Sequence, residues 1–236
     1  MPRVTAGPRL LGRLLPGWAR AVETSADAPV TALHDEERAL LAPAAVERRR
    51  REFATGRVCA RQALAALGVP LSGPLLRGPD GAPSWPDGVR GSITHCPGYR
   101  AAAVAFAADA RALGIDAEPP APLSPAATAA LTTAAERAAL PPPHARVPWE
   151  TVLFSAKEAA YKAWMPTLGP GRSLALRDAR VRLVPVTAHS GRIEVRHARR
   201  EVPRLCGAYR LTSDLIVTAA YLPTHTDADA VAAAGG

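Results

Sequence analysis

A pair of acids ends the stretch GIDAE, residues 114–118, which is typical of a β-strand. Asp116 and Glu118 are two residues apart, and successive side chains of a strand point to opposite faces, so both carboxylates leave from one face. Ile115 and Ala117 then point to the other face, where they can be buried. The pattern predicts a metal or acid–base site. A solvent-facing acidic pair on an edge strand is the plain alternative.

A third acid lies in the stretch FSAKEAAYKAW, residues 154–164, which we predict to be helical. Glu158 stands between Lys157 and Lys162, the only lysines of this 236-residue chain. Lys162 follows Glu158 by four residues and shares its helix face, whereas Lys157 lies about 140° around the helix from Lys162. We therefore predict a functional Lys162 and expect Lys157 to stabilise the structure or to contact substrate more weakly. The plain alternative is an exposed Glu158–Lys162 pair that only supports the helix.

Together the three carboxylates form a hard, oxygen-only ligand set, which suits Mg²⁺. Mg²⁺ usually keeps several waters and takes its other ligands from substrate phosphates, and a lysine over the same pocket would hold one of those phosphates. This combination is typical of phosphoryl transfer, in which metal and cations neutralise charge on the leaving oxygens. The sequence therefore predicts a site that acts on a phosphate-bearing substrate.

The predicted elements follow the order helix, strands, helix, strands. This order predicts an α+β protein of two similar halves, divided near residues 119–125. We assign 1–120 to the N-terminal half, 121–225 to the C-terminal half and 226–236 to a disordered tail. A helix is expected as the first regular element, and the residues after 118 are expected to form a connector. The predicted helices span 35–41, 43–67, 133–140 and 148–165, the last with Pro148 at its first position and Pro166 at its end. The predicted strands lie within 91–107, around a turn at Pro97-Gly98, and within 113–118, 179–186, 192–197 and 207–222, while 77–88 is a predicted surface loop.

Composition narrows the class of partner. The net charge is +8 and the pI is about 10.2, which favours an anionic partner such as a nucleotide, an acidic protein or nucleic acid. Aromatic residues make up 5% of the chain and show no stacking platform, which argues against the nucleic-acid alternative. The three cysteines lack zinc or disulfide spacing, and no apolar run approaches the length of a membrane span. We therefore expect a cytoplasmic protein that binds neither membrane nor nucleic acid.

The two acidic stretches, in this order, resemble the paired signature of the larger 4′-phosphopantetheinyl transferases, the surfactin and enterobactin type. Residues 14–23, 49–64 and 81–105 also resemble that family, especially its actinobacterial members. The resemblance implies a monomer with two pseudo-symmetric α+β halves and an active site in the cleft between them. It implies a Mg²⁺-dependent holo-[acyl-carrier-protein] synthase that moves 4′-phosphopantetheine from coenzyme A to a serine of an acidic apo carrier protein. Which carrier protein or biosynthetic pathway is served is left open.

The resemblance also assigns roles to residues. The positions that match the metal ligands of the family are Asp116, Glu118 and Glu158, and the catalytic positions are Glu158 as candidate base, Lys162 on the pyrophosphate, and Asp116. The positions that match the coenzyme A contacts are Arg49, Arg57, Arg77, Thr94, His95 and Lys162. A core or turn histidine is the plain alternative for His95. A degenerate family member that binds coenzyme A without transferring anything is the alternative for the whole chain.

Overall fold

The computed structural model describes residues 10–78, 81–141, 147–168 and 173–225. The predicted tail, 226–236, and two residues of the predicted loop 77–88 lie outside this part of the chain. The helices are α1 Asp35–Ala39, α2 Glu47–Ala66, α3 Pro125–Leu131, α4 Ala134–Ala138 and α5 Trp149–Trp164. The strands are β1 Arg20–Thr24, β2 Val89–Cys96, β3 Tyr99–Phe106, β4 Ala110–Glu118, β5 Ala179–Thr187, β6 Ser190–His197, β7 Leu205–Leu211 and β8 Ile216–Pro223.

The strands form two antiparallel sheets. One has the order β1-β3-β2 and the other has the order β4-β8-β7-β6-β5. Helix α2 packs on β1 and β3, and α5 packs on β4, β8 and β5. The predicted α+β class is therefore confirmed, with two sheets that are each packed with helices. The boundary near residue 120 between the two halves stays a prediction, although β4 pairs with the C-terminal strand β8.

Turn chemistry explains where the N-terminal elements end. Gly68 has a φ of 88°, and the N–H groups of Gly68 and Val69 donate to the carbonyls of Ala65 and Leu64, which is the Schellman arrangement that closes a helix. Gly98 has a φ of 76° in the two-residue turn between β2 and β3. Glycine adopts this conformation with the least strain, so the C-terminal end of the predicted helix 43–67 and the predicted turn at Pro97-Gly98 are confirmed.

Side chains join the two sheets where β2 lies beside β4. The backbone N–H of Ile115 donates to Ser92 Oγ at 3.1 Å, and the N–H of Ala117 donates to Thr94 Oγ1 at 3.1 Å. These hydroxyls satisfy buried edge-strand donors that would otherwise remain unpaired, which would be unfavourable. We call this line, Ser92 and Thr94 against Ile115 and Ala117, the seam.

The two faces of β4 serve different layers. Ile115 and Ala117 are buried against β3 and the N-terminal segment around Leu11, as the alternation of a strand requires. The opposite face meets α5 so closely that a Cβ at Gly114 would lie 2.0 Å from the carbonyl oxygen of Ala159. The acids of β4 therefore face the motif helix at short range.

Two local predictions were wrong. A helix was expected as the first regular element, but strand β1 precedes every helix of more than one turn. The five residues of β1 are too few to show a clear alternation. The predicted connector contains α3, which begins after Ser124, whose Oγ accepts a hydrogen bond from the N–H of Ala127, and has Pro125 at its first position. Both capping signals are visible in the sequence.

The C-terminal elements match their predictions more closely. The predicted helix 133–140 contains α4, whose Thr133 and Glu136 form a capping box. Pro148 caps α5 instead of occupying its first turn, and a 3₁₀ turn, Met165–Thr167, continues past Pro166. No helix among the described residues combines the length and the apolar character needed to cross a membrane.

We predict that Gly114→Ala destabilises the fold, because the added methyl group meets backbone of α5 that cannot move alone. The free energy of unfolding should fall by about 1–3 kcal/mol, measured by urea denaturation. Gly73→Ala is the matched control, since a Cβ at Gly73 meets nothing within 4 Å. Equal stability of the two variants would contradict the close approach of β4 and α5.

Candidate active site

Asp116 lies at the centre of the candidate site and is only 3% exposed. Its Oδ1 accepts from Lys162 Nζ at 2.6 Å and from Thr94 Oγ1 at 3.3 Å, and its Oδ2 accepts from Ser155 Oγ at 2.8 Å. Ser155 Oγ also lies 2.9 Å from Thr218 Oγ1 of β8. Strands of both sheets and the helix α5 thus hold one carboxylate in place.

Lys162 connects the acids to the open side of the site. Its Nζ donates to Asp116 and to the carbonyl oxygen of Ile115 at 3.3 Å, and its side chain is 30% exposed. An ammonium group has three donors, so one donor remains for a further acceptor. Because Lys162 is a compact point charge, a phosphate oxygen is a suitable acceptor.

The three predicted metal ligands share one electrostatic environment. Burial, followed by the charge of Asp116 and, more weakly, of Glu158, raises the pKa of Glu118 to about 7, and Lys162 opposes this shift. Burial and Asp116 likewise raise the pKa of Glu158 against the effect of Lys162. One ammonium group does not balance three carboxylates, which is the condition in which a further cation is favourable.

The carboxylates do not form a ready metal cage as they stand. Within the described residues, no group of three or more histidine, cysteine, aspartate or glutamate side chains is arranged to hold a metal ion. The oxygens of Asp116 are engaged by Lys162, Thr94 and Ser155. The donor chemistry nevertheless fits Mg²⁺, because all three groups are hard oxygen ligands with unbalanced negative charge. The ligand set Asp116, Glu118 and Glu158 stays a prediction.

Four of the predicted coenzyme A contacts line one cavity of about 160 Å³ beside α2. We call it the basic cavity, and the predicted residues on its wall are Arg49, Arg57, Arg77 and His95. Phe53, Gly56 and Ile93 supply apolar wall, and Glu52 also lines it. The basic cavity therefore offers charged forks and an apolar surface, which suit a phosphorylated nucleoside.

His95 is held as a neutral ring in this cavity. Burial lowers its pKa first, and Arg49 lowers it further, while Glu52 opposes the shift. Arg49 Nη1 lies 2.5 Å from His95 Nε2, so Nε2 is the acceptor and the ring hydrogen is on Nδ1, which lies 3.8 Å from Glu52 Oε2. His95 thus lines the cavity as a ring whose Nε2 accepts and whose Nδ1 donates.

Thr94 is placed differently from its neighbour. Adjacent residues of a strand point to opposite faces, so Thr94 and His95 of β2 do not enter the same cavity. The Thr94 hydroxyl lies in the seam between Asp116 and the N–H of Ala117. Its predicted contact with nucleotide phosphates stays a prediction, and its observed role is to hold β4 and Asp116.

Lys157 answers the question that the sequence left open. It is fully buried, and its Nζ donates to the carbonyl oxygen of Ala179 at 2.6 Å and lies 2.9 Å from Glu136 Oε1. Glu136 also accepts from the N–H of Val181 at 3.0 Å. The expectation of a stabilising Lys157 is confirmed, since this pair ties α5 to α4 and β5.

Sequence reasoning missed several partners of the site. Ser155, which fixes Asp116, is within the recognised helix motif but was given no role. Glu136 belongs to a capping pattern that was visible, but its pairing with Lys157 depends on the tertiary fold. Glu52 and Glu37 also lacked a recognisable signal, because Glu52 is one acid beside a run of arginines and Glu37 is one of three consecutive acids.

A basic cavity, a cluster of acids and a bridging lysine describe a transferase that acts on an anionic nucleotide. Residues 36–105 match the model of the 4′-phosphopantetheinyl transferase N-terminal domain, and residues 112–219 match that of the 4′-phosphopantetheinyl transferase superfamily. The chain is 53% identical over 166 residues to the 4′-phosphopantetheinyl transferase Svp of Streptomyces mobaraensis, a stretch that covers 68% of this chain and 67% of that relative.

Two further relatives agree. The chain is 47% identical over 146 residues to the 4′-phosphopantetheinyl transferase PptT of Mycobacterium tuberculosis, covering 61% of this chain and 63% of the relative. It is 48% identical over 133 residues to the 4′-phosphopantetheinyl transferase Npt of Nocardia iowensis, covering 56% of this chain and 59% of the relative. The chain therefore belongs to the 4′-phosphopantetheinyl transferase superfamily, and the resemblance predicted from its motifs is confirmed.

The buried pair yields a stability prediction. Lys157→Met leaves Glu136 buried without its cation, so the free energy of unfolding should fall by about 3–5 kcal/mol in chemical denaturation. Arg182→Met, which breaks the exposed pair with Glu194, is the control and should change stability little. Similar losses in both variants would show that burial of the Lys157 pair is not what matters.

The same pair predicts a pH dependence. Burial alone would raise the pKa of Glu136, but hydrogen bonds from Val181 and Lys157 lower it overall from its ordinary 4.5. A lowered folded pKa contributes stability above the unfolded value and loses it as the pH falls. Without Lys157 the pKa of Glu136 is higher, so the stability difference between the native chain and Lys157→Met should shrink as the pH falls between the two folded-state pKa values, a window that reaches below 4.5. A constant difference down to pH 3 would contradict this assignment.

Proposed function

We propose that this chain transfers the 4′-phosphopantetheine of coenzyme A to a serine hydroxyl of an apo carrier protein and releases adenosine 3′,5′-bisphosphate. The observation that carries the proposal is the pairing of the Asp116 cluster with the basic cavity in a chain of this superfamily. The names of the three relatives support the same activity. The net charge of +8 fits an acidic carrier protein, because complementary charge speeds encounter.

The residues of the basic cavity bind the nucleotide end of coenzyme A. Arg49, Arg57 and Arg77 present guanidinium groups, which pair with terminal phosphates through two parallel hydrogen bonds. His95, as a neutral ring oriented by Arg49, adds one hydrogen-bonding position. These contacts fix the substrate so that its pyrophosphate lies toward Lys162, whose remaining donor holds a phosphate oxygen.

The acids of the cluster act on the reacting groups. Asp116, Glu118 and Glu158 would hold Mg²⁺, which when bound neutralises charge on the pyrophosphate oxygens. Glu158 accepts the serine proton, directly or through a water. The serine oxygen bonds to the phosphorus that carries pantetheine, and the bond from that phosphorus to the oxygen of adenosine 3′,5′-bisphosphate breaks. Lys162 stabilises the charge on the leaving phosphate.

The assembly and location follow from the same proposal. Every residue assigned above comes from one chain, and the seam brings β2, β4 and α5 together without a second copy. We propose that the chain acts as a monomer, since the residues assigned above are all supplied by one copy. It works in the cytoplasm, where coenzyme A and apo carrier proteins are available.

The test is intact-mass spectrometry of an apo carrier protein after incubation with this chain, coenzyme A and Mg²⁺. We expect a gain of one phosphopantetheine group with the native chain and none without metal. Glu158→Gln should lower the rate at least about 100-fold, because it removes both a base and a metal ligand. Glu150→Gln, on the same helix but outside the cluster, should stay active.

The alternatives give different results in the same experiment. Coenzyme A binding without transfer to any of several carrier types would identify a degenerate binder and contradict the proposal. Absence of both binding and transfer would contradict the family assignment of the site. Full activity of Glu158→Gln would leave the transfer in place but remove Glu158 from its centre.

A further inference from the structure

Glu37 is a buried carboxylate for which the proposed reaction has no role. It lies on α1 and is fully buried. Its two oxygens accept from Arg61 Nη1 at 2.8 and 3.0 Å, and it also accepts from the backbone N–H groups of Leu75 at 2.9 Å and His34 at 3.0 Å. A carboxylate with this many donors is fixed in one orientation.

Glu37 also faces the innermost arginine of the basic cavity. Arg57 Nε lies 4.0 Å from Glu37 Oε1, and this Nε has no hydrogen-bond partner among the described residues. The guanidinium group stacks over the ring of Phe53, 4.4 Å from its centre. The five donors of a guanidinium group form a rigid fork. When Nε of Arg57 faces Glu37, the orientation of the two terminal nitrogens, Nη1 and Nη2, is therefore fixed as well.

The charges around Arg57 make this contact important. Burial first, and then the neighbouring cations Arg77, Arg61 and Arg49, lower the pKa of Arg57 to about 10. Glu37 is the group that opposes them. Without this carboxylate, Arg57 would be a 5%-exposed cation among three other cations, and such a group moves toward solvent or adopts a different rotamer.

We infer that Glu37 is a positioning residue that holds Arg57 in the basic cavity for the 3′-phosphate of coenzyme A. Glu37 does not line the cavity itself. It acts through Arg57, whose outer nitrogens pair with a terminal phosphate. The inference rests on the proposed assignment of Arg57 to the 3′-phosphate and adds Glu37 as the group that orients Arg57 for this contact. Its consequence is a preference for coenzyme A over 3′-dephospho-coenzyme A that depends on a carboxylate outside the cavity.

The experiment measures the affinities of coenzyme A and 3′-dephospho-coenzyme A for the full chain by isothermal titration calorimetry. The ratio of the two affinities reports the contribution of the 3′-phosphate alone. In Glu37→Gln, this ratio should fall by about tenfold or more, the size expected when one charge-assisted contact is loosened. The affinity for 3′-dephospho-coenzyme A should change much less, which a general loss of structure would not produce.

Glu23→Gln is the matched control. Glu23 is another buried glutamate of the N-terminal part, and it accepts from the N–H of Leu11 and from Tyr99 Oη at 2.6 Å, not from an arginine of the cavity. The affinity ratio of Glu23→Gln should equal that of the native chain. Thermal unfolding reports the stability of Glu23→Gln and of Glu37→Gln. If Glu37→Gln does not fold, Glu37→Asp keeps the charge and withdraws it by one methylene group. For Glu37→Asp we expect a fall in the affinity ratio that is smaller than the fall predicted for Glu37→Gln.

Arg57→Gln distinguishes the positioning role of Glu37 from the phosphate-binding role of Arg57. A lost ratio in Arg57→Gln with an unchanged ratio in Glu37→Gln or Glu37→Asp would overturn the positioning role and leave the Arg57 assignment intact. An unchanged ratio in Arg57→Gln would overturn both, while phosphopantetheine transfer would remain to be judged by the carrier-protein experiment. An equal fall in Glu23→Gln would show that any buried glutamate has this effect, and would also contradict the inference.

Discussion

The contact between Asp116 and Lys162 is the interaction on which the rest of the site depends. Asp116 is almost completely buried at the seam, where a carboxylate without partners would be strongly unfavourable. Lys162, Thr94 and Ser155 supply those partners from α5 and β2. The same contacts therefore stabilise the junction of the two sheets and fix the position of the carboxylate that we propose as a metal ligand.

The two lysines of one helix show how burial separates structural from functional cations. Lys157 points into the protein and is neutralised by Glu136, so it holds α4, α5 and β5 together. Lys162 is partly exposed and keeps a donor for substrate. In the proposed function, the arginines of the basic cavity bind terminal phosphates, for which the forked guanidinium group is suited. A point charge serves beside Asp116, where an ammonium group fits between a carboxylate and a carbonyl.

The sequence predicted the strand and the helix that carry the candidate acids, but not the contacts that these elements make. The strand of Asp116 and the helix of Glu158 were visible because the spacing of their side chains is set by local geometry. The wrong predictions at β1 and α3 concern short elements, in which periodicity is weak. The seam, the pairing of Lys157 with Glu136 and the contact of Glu37 with Arg57 join residues that are far apart in the chain. Such contacts depend on tertiary packing, and no local pattern in one sequence reveals them.

If Asp116 helps to hold Mg²⁺ against the pyrophosphate of coenzyme A, as proposed, then metal and coenzyme A bind cooperatively, and calorimetric titration of coenzyme A with and without Mg²⁺ tests this most directly. The account predicts that Mg²⁺ tightens coenzyme A binding to the native chain and that Asp116→Asn, which keeps the size of the side chain, loses this increment. The variant should retain the metal-independent part of the affinity, since the basic cavity is untouched. An equal effect of Mg²⁺ on both proteins would contradict the account.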